Sequence, residues 1–157
     1  MTALIAGLIE LLTVHVSPAG PVLARHIRAL GGESYVAAHA EDYRAAAELE
    51  GVPVALLAAL AFSESSLNPR AVGALGERGE MQLHTGNLRE WCRICRTIPE
   101  HCGVANLVIG ASVLARFFER CGGDWELAVS AYKGRGCRRT GASARVMAMA
   151  STMEDKP

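Results

Sequence analysis

Apolar positions along the chain recur at helical spacing, and hardly anywhere do they alternate with polar ones as in a strand. In VALLAALAFSES, Leu57, Leu60 and Ala61 share one stripe, and Glu64 falls on that same stripe. The pattern predicts a buried helix over Val54–Ser65, with Pro53 at its start and Pro69 beyond its end. The clearest amphipathic helix is 103–121, where Val104, Leu107, Val108, Ala111, Leu114, Ala115, Phe118 and Cys121 fall on one face. Further helices are expected over 33–50, closed by Gly51, and around 87–95. Two more fit 125–132, capped by Asp124, and the region near 142–151. Between them, 67–80 reads as a glycine-rich loop with room for a short hairpin. The expected fold is mainly α.

The first 32 residues form a separate appendage in this reading. Leu4, Ile5, Leu8, Ile9, Leu11 and Leu12 make one broad apolar helical face, suited to docking or packing. That run is too short to span a bilayer, and Glu10 interrupts it, so no transmembrane segment is expected. Ser17 and Ala19 loosely mimic a signal-peptidase site, but no basic residue precedes the apolar run, so no convincing signal peptide is read. Residues 33–157 are then one domain, long enough to bury a core.

Composition sharpens the picture in three places. Acidic and basic residues number 16 each, so no global field points to nucleic acid. Lys133, Arg135, Arg138, Arg139 and Arg145 make a local basic stretch, either a solvated loop or a lip for an anionic polymer. Cys92, Cys95, Cys102, Cys121 and Cys137 leave disulfides, buried thiols and a zinc site with His101 all open. A second well-spaced ligand pair is missing, so no metal is assigned.

The candidate chemistry centres on Glu64. A carboxyl on a core-facing stripe loses hydration, which disfavours its charged form and suits a general acid for glycosidic cleavage. Asn68-Pro69 ends the helix and keeps the group at a rim. On helix position alone, a structurally paired carboxylate remains the alternative. Other chemistry fits poorly. Ser63, Ser65 and Ser66 lack a G-x-S-x-G setting, and the five histidines show no H-E-x-x-H spacing. Gly73, Gly76 and Gly79 are not followed by Gly-Lys-Ser/Thr, so no phosphate loop or cofactor is assigned.

The run ESSLNPRAVGALGERGEMQL resembles the signature of soluble lytic transglycosylase domains, relatives of goose-type lysozyme. Three further stretches resemble family segments in the same order: YRAAAELEGVPVALLAALAFSES, NLVIGASVLARFF and GGDWELAVSAYKGRG. Together they cover roughly residues 36–147. The resemblance implies a lysozyme-like α fold with a small Gly-rich loop or hairpin beside the catalytic helix. It implies cleavage of the MurNAc–GlcNAc β-1,4 bond of peptidoglycan strands, with a 1,6-anhydro ring closed by the sugar's own 6-hydroxyl.

By the match, Glu64 is the catalytic acid and base, Ser65 supports the turn after it and Tyr132 approaches the carboxyl, and Ser65, Gln82 and Tyr132 are expected to bind substrate. Met81 and Asn106 match structural positions. The departures are local. Lys133 replaces an asparagine, Gly134-Arg135 replaces Ala-Gly, Gly73 replaces a serine, Glu80 replaces an apolar residue, and His84-Thr85 replaces Met-Pro. Lys133, Glu80 and His84 are therefore expected beside the substrate. A nearby lysine would favour the ionised form of Glu64 and oppose the effect of desolvation. Two alternatives follow: a muramidase-type hydrolase using Glu77 or Glu80 to activate water, and a glycan-binding or structural component without catalysis. The expected setting is a virion, such as a bacteriophage's, or another trans-envelope assembly. There the apolar N-terminal helix docks on partner proteins, and the domain acts in the periplasm or cell wall.

Overall fold

The computed structural model describes residues 33–97 and 102–153. The expected N-terminal appendage and His101 lie outside them. Six helices follow in order among the described residues: α1 (Glu33–Glu50), α2 (Val54–Ser65), α3 (Thr85–Thr97), α4 (Cys102–Arg120), α5 (Trp125–Tyr132) and α6 (Gly141–Met153).

Helix α2 is the central element. Ala55 through Ala61 are all buried, because small alanines let neighbours approach while Leu56, Leu57 and Leu60 fill the gaps. It packs against α6 and α1, and α4 packs against α1, α5 and α3. Tyr43, Leu57, Leu60, Leu107, Leu114, Val129 and Val146 make the core between them. Each such leucine contributes about 1.5–3 kcal/mol from leaving water. Helix α4 has the length and mean hydropathy of a membrane-crossing helix. Its apolar face is nonetheless taken up by α1, α3 and α5.

The helix ends follow local chemistry. Gly122 and Gly123 take left-handed φ angles of 74° and 80°, and the Gly123 amide returns to the Phe118 carbonyl at 2.9 Å, closing α4. The Asp124 carboxylate then accepts the Leu127 amide at 3.1 Å and opens α5. Thr140 and Ser143 exchange bonds at the start of α6, where the Ser143 amide donates to Thr140 Oγ1 at 3.0 Å. Two disulfides, Cys95–Cys102 and Cys121–Cys137, settle four of the five cysteines, and Cys92 is free and exposed. Four potential zinc ligands are thereby taken into covalent bonds.

The loop after α2 does contain a short hairpin, with isolated pairings Val72 to Arg78 and Arg78 to Leu83. It lies over α4 because Asn106 reaches up to it. Asn106 Oδ1 accepts the Met81 amide at 2.9 Å, and Nδ2 donates to the Arg78 carbonyl at 3.2 Å. Gly79 and Gly110 make that approach possible. A Cβ on Gly79 would meet Asn106 Nδ2 at 2.2 Å, and one on Gly110 would meet Met81 Cγ at 2.5 Å.

Candidate active site

Helix α2 ends by an abrupt reversal. Ser66 and Leu67 both take left-handed φ angles, 54° and 62°, although neither is glycine. Such a conformation costs energy in non-glycine residues and persists where surroundings enforce it. Here the Ser66 amide bonds the Phe62 carbonyl at 2.8 Å, and the Leu67 side chain is buried. Ser65 Oγ donates to the Ala61 carbonyl at 3.2 Å and accepts the Asn68 amide at 3.1 Å. Ser65 therefore serves the turn and does not line the cleft, which corrects the expectation that it also contacts substrate.

This reversal leaves Glu64 in the last helical turn, where the chain opens into a cleft of about 420 Å³. Glu64, Gly73, Leu75, Glu77, Gln82, His84, Tyr132 and Lys133 line it, with Ala74 and Gly134 at its edges. Lys133, which caps the C-terminus of α5, places its ammonium 2.6 Å from Glu64 Oε1 and donates to Ser63 Oγ at 3.1 Å. The side chains of Glu64 and Lys133 are only 17% and 19% exposed. A carboxylate in the last turn of a helix faces the negative end of its dipole, and a cation there is favoured. Lys133 supplies that cation, and Oε2 of Glu64 has no hydrogen-bond partner among the described residues.

The Tyr132 hydroxyl donates to the Met81 carbonyl at 2.7 Å instead of reaching the carboxyl directly. With Oε1 already held by Lys133, this bond fastens α5 to the hairpin. Burial pushes the Tyr132 phenol well above its ordinary range, and the nearby negative charge of Glu64 adds to the shift. The hydroxyl thus stays a donor at any working pH.

Opposite α5, the cleft wall is made by the Gly-rich loop. Gln82 sits at a left-handed φ of 45°, and its Nε2 donates to the Gly79 carbonyl at 2.8 Å. Glu77 Oε2 accepts the Leu75 amide at 2.9 Å, and Oε1 lies 3.6 Å from His84 Nε2. Bonds from its own amide and that of Leu75, with the charge of His84, outweigh partial desolvation and hold the Glu77 carboxyl below its ordinary range. Gly73 leaves room for the ends of two side chains here: a Cβ would lie 2.2 Å from Glu77 Oε2 and 2.6 Å from Gln82 Oε1. A serine at this position would oblige both side-chain ends to shift.

A family model for the transglycosylase SLT domain matches residues 42–148. The chain belongs to this family. Comparison with curated proteins gives no match. The SLT domain here is mainly α and lysozyme-like, with Glu64 at the end of its central helix and the Gly-rich hairpin beside it. The family is one of glycan-cleaving transglycosylases whose substrate is peptidoglycan.

Five of the seven residues assigned to the site from sequence gather in the SLT cleft: Glu64, Gln82, His84, Tyr132 and Lys133. Glu80 does not, which corrects the expectation for it. The turn at Gly79 directs Glu80 inward, where it is 3% exposed and accepts the Tyr43 hydroxyl of α1 at 2.9 Å. A buried polar partner on α1 drew it away from the substrate side. The basic stretch is also less open than its composition suggests. Lys133 is tied to Glu64, while Arg139 bonds Asp124 at 2.7 Å and pairs with Glu126. Gly73 and Leu75 are cleft residues without a chemical signature of their own. The Gly76-Glu77 turn was the available signal for them, since its carboxylate caps the Leu75 amide.

Proposed function

We propose that this domain is a lytic transglycosylase that cleaves the MurNAc–GlcNAc β-1,4 bond of peptidoglycan and leaves 1,6-anhydroMurNAc ends. The observation that carries this reading is the half-buried Glu64 carboxyl at the floor of a cleft walled by Gln82 and Tyr132, in an SLT domain. Glu64 gives its proton to the leaving O4 of GlcNAc as the C1–O4 bond breaks. The substrate's N-acetyl carbonyl covers the positive charge that develops at C1. The 6-hydroxyl then attacks C1, and its proton returns to Glu64. No water is consumed, so a single carboxyl serves both steps, and ring closure benefits from a nucleophile already on the same sugar.

The two disulfides support work in an oxidising compartment outside the cytoplasm, which suits a virion or trans-envelope assembly acting on the wall. Digestion of purified peptidoglycan by wild type and Glu64→Gln, with products read by mass spectrometry, tests the chemistry. Anhydro ends from wild type, reduced by at least about 100-fold in the variant, are expected. A second reading is a hydrolase, favoured by one observation: Glu77 is a second carboxylate in the same cleft, held in its ionised range. Reducing ends one water heavier would establish it. Glu80, buried against Tyr43, drops out of that role. Absence of products from folded wild type would leave a binding role.

A further inference from the structure

We propose that Lys133 determines substrate specificity by taking a carboxylate carried by the muramyl glycan. This rests on the reading of Glu64 given above and concerns which strands the cleft prefers. Lys133 is the ammonium lining the cleft among the described residues, with the His84 imidazole the other basic side chain there. His84 stands beside Glu77, and Arg139 is held by Asp124 and Glu126, so Glu64 is the anion that Lys133 contacts.

Proton donation requires Glu64 to be neutral while substrate is bound. At that moment the Lys133 ammonium loses its counter-charge while its side chain is about four-fifths withdrawn from solvent. An ammonium in such a position is costly unless another anion or strong acceptor takes it up. A neutral glycan built only from N-acetylglucosamine offers none. The muramyl residue does, because its 3-position carries a lactyl group whose carboxyl is free where the peptide has been removed. Peptide-bearing strands present carboxylates farther out, on the stem.

The 2.6 Å separation of Nζ and Oε1 means that a sugar whose glycosidic oxygen reaches Glu64 brings its own substituents close to Lys133. An ammonium has three donors, and Lys133 uses two of them in the free protein, on Glu64 and Ser63. Taking a carboxylate exchanges one charge-assisted bond for another and leaves Glu64 free to act on the leaving oxygen.

The experiment uses the Glu64→Gln protein, in which the glutamine reproduces the neutral partner and prevents turnover. Calorimetric titration compares four tetrasaccharide probes. These are a GlcNAc–MurNAc repeat with free lactyl carboxylates, the same repeat as lactyl methyl amides, the same repeat with stem peptides, and chitotetraose. The free acid should bind on the order of tenfold more tightly than the methyl amide, with chitotetraose no better than the amide. Adding Lys133→Met should abolish the preference, Lys133→Arg should retain it, and thermal melts should show both variants folded.

A Lys133-dependent preference for the stem-peptide probe over the free acid would support the proposal with the stem as the source of the carboxylate. Equal binding of the acid, amide and stem-peptide probes, or a preference that survives Lys133→Met, would overturn it while leaving glycan binding intact. No binding of any probe, with no cleavage of peptidoglycan by wild type, would instead overturn the reading of the site itself.

Discussion

Asn106 gives the sharpest test of how the site is held. It is 2% exposed and bridges α4 to the hairpin through Met81 and Arg78, 25 and 28 residues away in sequence. Asn106→Ala leaves the amide of the fully buried Met81 without its acceptor, at about 1–3 kcal/mol. The Arg78 carbonyl belongs to an exposed residue, so water can replace its lost bond at about 0.5–1 kcal/mol. The sum is about 1.5–4 kcal/mol. For a domain of this size that lowers the melting temperature by roughly 5–20 °C. Met81 also presents the carbonyl that receives Tyr132, so cleavage should fall by more than the loss of folded protein explains. Thermal unfolding by circular dichroism, with peptidoglycan turnover well below the melting temperature, reads both effects. A melting temperature unchanged within error, together with normal turnover, would refute the claim that this side chain fixes the hairpin.

Gly110→Ala should destabilise the fold by about 1–3 kcal/mol in urea titrations, because its Cβ would strike Met81 near the root of that side chain. Glu77 has a lowered folded-state pKa, so its contribution is present above the ordinary value of 4.5 and disappears as pH falls through the folded value. The melting temperatures of wild type and Glu77→Gln should therefore differ at neutral pH and converge as pH falls below the ordinary value of 4.5 and through the folded one. Replacing Cys121 and Cys137 together by serine removes a bridge with a sequence separation of 16 residues, with a loss of about 3 kcal/mol read from the denaturation midpoint.

Helices carry their own signals, and these were legible. The stripe of Leu57, Leu60 and Ala61 located both α2 and the place of Glu64 on its core-facing side, and Gly122-Gly123 with Asp124 marked the α4–α5 junction. Non-local partners were another matter. Nothing near Glu80 announces Tyr43, which lies 37 residues earlier, so its inward course became visible only when α1 was in place. The Ser66-Leu67 reversal was equally hidden, because sequence patterns assign left-handed angles to glycine and asparagine. The cysteine pairing was undetermined for the same reason: spacing constrains neighbours, while Cys121 and Cys137 meet across the whole of α5. Lys133 beside Glu64 was foreseeable only because the resemblance aligned two segments 69 residues apart.

The two walls of the cleft differ in how they are fastened. Gln82 and Glu77 stand on a hairpin secured by hydrogen bonds, whereas Tyr132 and Lys133 lie inside the covalent ring closed by Cys121 and Cys137. A protease that nicks an exposed glycine of that ring, such as Gly134 or Gly136, leaves both new ends attached to the body of the domain. A nick at Gly76, at the tip of the hairpin, has no such safeguard. In surroundings rich in proteases, the wall bearing the ammonium outlasts the wall bearing the amide, and the hairpin is where loss of function begins.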